Sequence, residues 1–159
     1  MAPVQKSVEA SVGTITLDHR EKNNALKEVV LEIVVRWSEL DLNGHVNNAK
    51  YVEYLEWGRH EWCDNHGFSY DRLKKLGLIA VVVNVNLNYR QPCYEGDRLR
   101  VVTWARGHGR TSFAVAQRIE RAEGTAAADG VVTLVTVDPD TRRAVPLPEE
   151  FARLFPARD

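Results

Sequence analysis

Residues 41–48, Asp-Leu-Asn-Gly-His-Val-Asn-Asn, concentrate side chains that do chemistry, since five of the eight are Asp, Asn or His. Asp41 offers a carboxylate that acts as a base or a nucleophile, and His45 offers an imidazole that can donate or accept a proton. Asn47 and Asn48 stand where a helix is expected to open, and the first N–H groups of a helix have no partner within it. Together these groups could form an acyl-transfer site.

This octet lies between a predicted strand and a predicted long helix. Residues 29–37 are apolar and rich in β-branched side chains, which indicates a strand with one buried face. Residues 48–66 carry large or small apolar residues at positions i, i+4, i+7 and i+11, which predicts a helix of about five turns with one apolar stripe. The stripe consists of Tyr51, Leu55, Gly58 and Trp62.

After a short helix predicted at 69–75, the pattern changes to strands separated by turn residues. The predicted strands cover residues 78–90, 98–108, 111–122 and 126–138. Short connections favour antiparallel neighbours. The expected fold is therefore α+β, with a five-stranded antiparallel sheet wrapped around one long helix.

The 159 residues are most simply one domain at 28–159 behind an N-terminal extension at 1–27, in which residues 12–17 could form a short strand. Lys and Arg number 21 against 22 acidic residues, so no basic surface for nucleic acid is expected. No window has the length of a membrane span, and no signal peptide is recognisable. Cys63 and Cys93 form no zinc or disulfide pattern. These features predict a cytoplasmic protein.

Three features resemble the hotdog-fold thioesterases of the 4-hydroxybenzoyl-CoA thioesterase type. Residues 36–41 lead into Gly-His-Val-Asn-Asn at 44–48, and Ala144 to Phe151 resembles the usual C-terminal tail. Tyr89, Pro92, Gly96 and Asp97 mark the end of the strand predicted at 78–90. The octet is also similar to plant acyl-ACP thioesterases, in which an Asp, an Asn and a His at this spacing are catalytic. Those enzymes carry an acidic residue soon after a Tyr-Arg pair, whereas Gln-Pro-Cys follows Tyr-Arg here.

The resemblance implies the hotdog fold and the hydrolysis of an acyl-CoA or acyl-ACP thioester. Asp41 would act as the base or nucleophile, and the backbone N–H of Asn48 would polarise the thioester carbonyl. Asn43 and His45 would orient Asp41 or a water molecule. The family also implies a homodimer, possibly a tetramer, paired through the strand that carries Asn84, Asn86 and Asn88. No metal or bound cofactor is expected, and CoA enters only as part of the substrate.

Substrate-binding candidates extend beyond the catalytic group. The backbone N–H of Asn47 is a second candidate donor to the carbonyl oxygen, and Tyr51 could line an acyl pocket. Arg110, Thr111 and Ser112 follow a glycine-flanked turn and could contact CoA, although a solvated hairpin explains them equally well.

Several alternatives fit the same residues. An isolated Asp-Leu-Asn-Gly is typical of an Asx turn, and Asn47 and Asn48 could be ordinary helix caps. Glu56 on the helix is the reserve catalytic carboxylate. A hotdog enoyl-CoA hydratase is the competing enzyme, although its Asp-x-Asn-Pro-x-His motif differs in spacing. A non-catalytic acyl-CoA binding module is the competing class of protein.

Overall fold

The computed structural model describes residues 15–16 and 28–156 of the chain. The strands are β1 (Ile15–Thr16), β2 (Val29–Val34), β3 (Ile79–Tyr89), β4 (Arg98–His108), β5 (Ser112–Arg121) and β6 (Ala126–Val137). The helices are α1 (Asn48–Asn65), α2 (Tyr70–Lys75) and α3 (Glu149–Ala152), with a short 3₁₀ helix at Trp37–Glu39. The predicted long helix and the five predicted strands are confirmed, with boundaries that differ by a few residues.

The strands form one antiparallel sheet in the order β1-β2-β4-β5-β6-β3. The two-residue β1 adds a sixth strand beside β2, within the short strand predicted at 12–17. The remainder of the predicted extension lies outside the described residues. β3 stands at the opposite edge, so its central residues 81–86 are exposed in the single chain.

Helix α1 lies against β2, β4 and β5. The four residues of its predicted apolar stripe are all buried, as expected for a helix with one face toward a sheet. Gly58 permits the close approach, because a Cβ at this position would lie 2.7 Å from the Cγ1 atom of Val101. The lack of a side chain at this position therefore lets α1 pack closely against β4.

A buried hydrogen-bond network also holds α1 against the sheet close to Gly58. The Nε2 of Gln117 on β5 donates to the backbone carbonyl of Leu55 and to the hydroxyl of Thr103, each at 2.8 Å. The Oε1 of Gln117 accepts from the buried guanidinium of Arg59 at 3.3 Å. Because buried polar groups cost free energy unless they are paired, this network favours one register of the helix on the sheet.

The ends of α1 follow the residue types that border it. The side chain of Asn47 caps the first turn, and Gly67, just beyond the last turn, takes the left-handed conformation with φ of 77°. At the far end of the core, Phe151 of α3 is fully buried and meets Phe113 edge-on, with ring centroids 4.9 Å apart. Among the described residues, no helix combines the length and hydrophobicity that crossing a membrane requires.

Candidate active site

The octet folds into a tight loop between β2 and α1. Leu40 and Val46 form an isolated antiparallel bridge, and the Asp41 N–H donates to the His45 carbonyl at 2.9 Å. Gly44 occupies the left-handed region with φ of 80°, and its N–H donates to the Asp41 carbonyl at 3.0 Å. Glycine adopts this conformation without steric cost, so the local sequence favours the turn.

Two backbone hydrogen bonds anchor the end of this loop to its neighbours. The Val46 N–H donates to the carbonyl of Cys93 at 2.8 Å, and the Asn47 N–H donates to the carbonyl of Glu39 at 2.9 Å. Cys93 and Glu39 are both buried, and the Glu39 carboxylate accepts the Arg36 N–H at 2.8 Å. The start of α1 is therefore hydrogen-bonded to two buried residues.

The Asp41 carboxylate has two different environments at its two oxygens. Oδ1 accepts the Asn43 N–H at 2.7 Å, which is the Asx turn expected of this sequence. Oδ2 lies 3.6 Å from Nδ1 of His45, which is an ion-pair distance and too long for a hydrogen bond. The Asx turn and the predicted chemistry are thus compatible, because one oxygen orients the carboxylate and the other remains available.

The first turn of α1 has four N–H groups without partners inside the helix. Asn47 donates to Glu39, the Ala49 N–H donates to Oδ1 of Asn47 at 2.9 Å, and the Lys50 N–H donates to the Asn47 carbonyl at 2.9 Å. The remaining donor is the Asn48 N–H, for which the described part of the chain supplies no acceptor. At a helix N-terminus such a donor favours a developing negative charge.

A pocket of about 290 Å³ opens at this point. It contains the carboxylate candidate, the histidine and the residue with the unpartnered N–H. Its lining is formed by Asp41, His45, Val46, Asn48, Tyr51, Tyr89, Arg90, Gln91 and Pro92. Four of the predicted site residues, Asp41, His45, Asn48 and Tyr51, are therefore brought together.

Two predicted site residues of the octet, Asn47 and Asn43, do not line the pocket. The Asn47 N–H is engaged by the Glu39 carbonyl, so it cannot be the second oxyanion donor, and Asn47 serves as the helix cap. Asn43 lies outside the pocket lining with its side chain exposed, and it orients Asp41 through its backbone N–H.

Tyr51 forms part of the pocket wall and is almost completely buried. Burial, together with a hydrogen bond between its hydroxyl and Cys93, raises the pKa of Tyr51 above its ordinary value. Burial likewise raises the pKa of the Cys93 thiol. Both groups are neutral near pH 7 and act as a fixed wall rather than as proton carriers.

The segment after β3 supplies the rest of the lining. Arg90 is held by Asp129 of the neighbouring strand through two contacts, Nε to Oδ2 at 2.7 Å and Nη2 to Oδ1 at 3.1 Å. Hydrogen bonding to Arg90 holds the pKa of the Asp129 carboxyl below its usual range. Gln91 and Pro92 follow the Tyr-Arg pair in the segment where the plant enzymes carry an acidic residue, and both line the pocket. Arg90 was not selected from the sequence, although the Tyr-Arg pair was a signal for it.

Arg110, Thr111 and Ser112 do not line this pocket within one chain, and their contact with CoA stays a prediction. The pocket lies at the end of the sheet where Val34 pairs with Arg98. Ser112 begins β5 at the opposite end, and the ten residues of that strand span about 33 Å.

Two further observations concern Glu56 and the side chains that could bind a metal. Glu56 is exposed on α1 and outside the pocket lining, so nothing in the geometry favours it as the reserve carboxylate. Among the described residues, no group of three or more His, Cys, Asp or Glu side chains is placed to hold a metal ion.

Known proteins show similarity over the same region. The Thioesterase-like superfamily matches residues 35–155. The long-chain acyl-CoA thioesterase FadM of Escherichia coli (strain K12) is 35% identical over 121 residues, covering 76% of this chain and 91% of that protein. The chloroplastic acyl-acyl carrier protein thioesterase ATL3 of Arabidopsis thaliana is 34% identical over 71 residues, covering 45% of this chain and 37% of that protein. The solved structure of a DHNA-CoA thioesterase from Staphylococcus aureus has a TM-score of 0.71 at 27% identity, covering 76% of this chain and 80% of that one.

The assignment of Asn47 as a cap predicts a specific stability pattern. Asn47→Ala removes the side-chain acceptor of the Ala49 N–H and should lower the free energy of unfolding by about 1 kcal/mol. Asn47→Asp keeps an acceptor, so its free energy of unfolding should be close to that of the wild type. Urea denaturation of the three proteins measures this, and an alanine variant as stable as the wild type would contradict the cap assignment.

Proposed function

The chain belongs to the thioesterase-like superfamily and is an acyl-CoA thioesterase, and from that premise we propose that Asp41 and the Asn48 N–H act together on the thioester carbonyl. The observation that carries this proposal is that both residues line one pocket, where Oδ2 of Asp41 and the Asn48 N–H have no hydrogen bond within the described chain. A carboxylate and a single oxyanion donor are sufficient for an activated ester.

The reaction adds water across the acyl C–S bond and releases a carboxylic acid and the free thiol. As the carbonyl carbon is attacked, its oxygen gains negative charge, which the Asn48 N–H stabilises with help from the helix dipole. In one route, Oδ2 of Asp41 attacks the carbon and the C–S bond breaks to release the thiolate, which leaves a mixed anhydride that water hydrolyses to the free acid and the Asp41 carboxyl. In the other, Oδ2 takes a proton from the attacking water, and the C–S bond then breaks to release the thiolate, which receives a proton. His45, 3.6 Å from that oxygen, is placed to orient the carboxylate or the water.

We propose CoA rather than acyl-ACP as the carrier and fatty acid metabolism as the setting. FadM, whose name records a long-chain acyl-CoA substrate, is matched over most of its length, whereas the matching region is only 37% of the plant acyl-ACP enzyme. The two cysteines are free thiols, which supports the cytoplasmic location predicted from the sequence. We further propose that the reaction needs only protein groups and water, without a metal or bound cofactor.

We also propose that two copies pair through β3 to form a homodimer. This strand is eleven residues long, presents an unpaired edge and exposes Val81, Val82, Val83 and Val85. An exposed apolar edge strand favours pairing with another strand. In an antiparallel pair, the Ile79 end of one copy would lie beside the Tyr89 end of the other, which would bring Arg110, Thr111 and Ser112 toward the second copy's pocket.

Asp41→Asn tests the catalytic assignment. The amide neither attacks a carbonyl nor accepts a proton at neutral pH, so turnover should fall at least about 100-fold. Thiol release should be measured over short, long, branched and aromatic acyl-CoAs, beside Asp140→Asn, an exposed carboxylate at the other end of the sheet, as a control. Near-normal turnover by Asp41→Asn would contradict the assignment, and substrate binding or hydration without thiol release would favour a binding module or a hydratase.

Val83→Lys tests the proposed dimer. Val83 is 58% exposed near the middle of β3, so the substitution should place two like charges close to the two-fold axis and shift the protein toward monomer. Leu76→Lys, at the exposed end of α2, is the matched control and should leave the assembly unchanged. Sedimentation equilibrium distinguishes the states, and a wild type that is monomeric at micromolar concentration would rule out this pairing.

A further inference from the structure

Tyr89, the last residue of β3, reaches from the sheet edge to the start of α1. Its hydroxyl donates to the backbone carbonyl of Asn48 at 3.0 Å. Its ring meets the ring of Tyr51 edge-on, with centroids 5.2 Å apart and planes at 90°. The side chain is about half exposed, and it lines the pocket. Tyr89 thus contacts the residue whose N–H is the proposed oxyanion donor.

The carbonyl that accepts this hydrogen bond belongs to the first residue of the helix. A carbonyl oxygen has two acceptor sites, and the helix uses one of them for the N–H four residues later. The hydroxyl of Tyr89 occupies the second. Because helix ends fray, an external bond at this point restrains the turn that carries the Asn48 N–H.

Two attachments therefore restrain the first turn, and they come from different parts of the chain. The Glu39 carbonyl holds the Asn47 N–H, while Tyr89 holds the Asn48 carbonyl from β3. Between them lies the peptide group that carries the Asn48 N–H. The direction of that N–H is consequently set by contacts on both sides of it.

We propose that Tyr89 is a positioning residue that aims the Asn48 N–H at the thioester oxygen. A hydrogen bond weakens steeply when the N–H direction departs from the acceptor, so a small rotation of the first turn costs transition-state stabilisation. This inference rests on the proposed function. Tyr51 does not play the same part, because its hydroxyl is directed to buried Cys93.

Tyr89→Phe is the decisive variant, because it removes the hydroxyl and keeps the ring contact with Tyr51. We expect kcat and kcat/KM to fall together by about tenfold with KM unchanged, the pattern of an interaction made only in the transition state. The pH profile of kcat/KM should keep its shape, since Asp41 is not altered. The midpoint of thermal unfolding of Tyr89→Phe should equal that of the wild type.

Tyr94→Phe is the matched control. Tyr94 is 46% exposed against 51% for Tyr89, lies outside the pocket lining, and its hydroxyl has no hydrogen bond within the described chain. It should retain wild-type kinetics. A rise in KM for Tyr89→Phe at constant kcat would overturn the positioning role in favour of a ground-state substrate contact.

Asp41→Asn, assayed in parallel, separates this inference from the proposed function. A Tyr89→Phe enzyme at wild-type kcat beside an inactive Asp41→Asn enzyme would overturn the role of Tyr89 and leave the proposed function intact. A tenfold loss in Tyr89→Phe beside normal turnover in Asp41→Asn would support the role of Tyr89 and contradict the proposed base.

Discussion

This site depends on which acceptors the N–H groups in the first turn of α1 find. A helix must find partners for four donors at its start, and here the Glu39 carbonyl and the two oxygens of Asn47 satisfy three of them. The donor left over within the described chain belongs to Asn48, a residue that lines the same pocket as Asp41. The loop hydrogen bonds, the Asn47 cap and the bond from Val46 to buried Cys93 hold both residues at this pocket.

The packing of α1 makes this arrangement durable. Gly58 lets the helix approach β4 closely. Gln117 fixes the position of the helix along the sheet by donating a hydrogen bond to the Leu55 carbonyl. The N-terminus of the helix therefore cannot shift relative to the ends of β2 and β3 without breaking buried contacts. An oxyanion donor that is held before the substrate arrives needs no reorganisation during the reaction, which is where such donors gain their effect.

Much of the fold and part of the site could be predicted from the sequence. The apolar period of residues 48–66 predicts which face of the helix is buried. The reactive side chains of the Asp41–Asn48 octet lie within eight neighbouring residues, so the sequence itself shows that they are close together. The role of Asn47 could not be decided in this way, because its side chain predicts an N-cap but does not indicate which acceptor its backbone N–H binds. Its backbone bond to Glu39 has no side-chain signature.

Contacts between distant segments account for the other differences. Tyr89 reaches Asn48 across 41 positions of the chain, and only the strand order brings them together. Arg110, Thr111 and Ser112 have suitable side chains for CoA, but the register of β4 on β5 places them at the far end of the sheet. Residue type indicates what a side chain can bind, whereas topology decides which site it reaches.

The most direct measurement is a crystal structure with a non-hydrolysable acyl-CoA analogue in which a methylene replaces the thioester sulfur. We expect the ketone oxygen about 2.7–3.1 Å from the Asn48 nitrogen, with the carbonyl carbon facing Oδ2 of Asp41. A ketone oxygen bound away from the Asn48 nitrogen, with Asp41 out of reach of the carbonyl carbon, would contradict it.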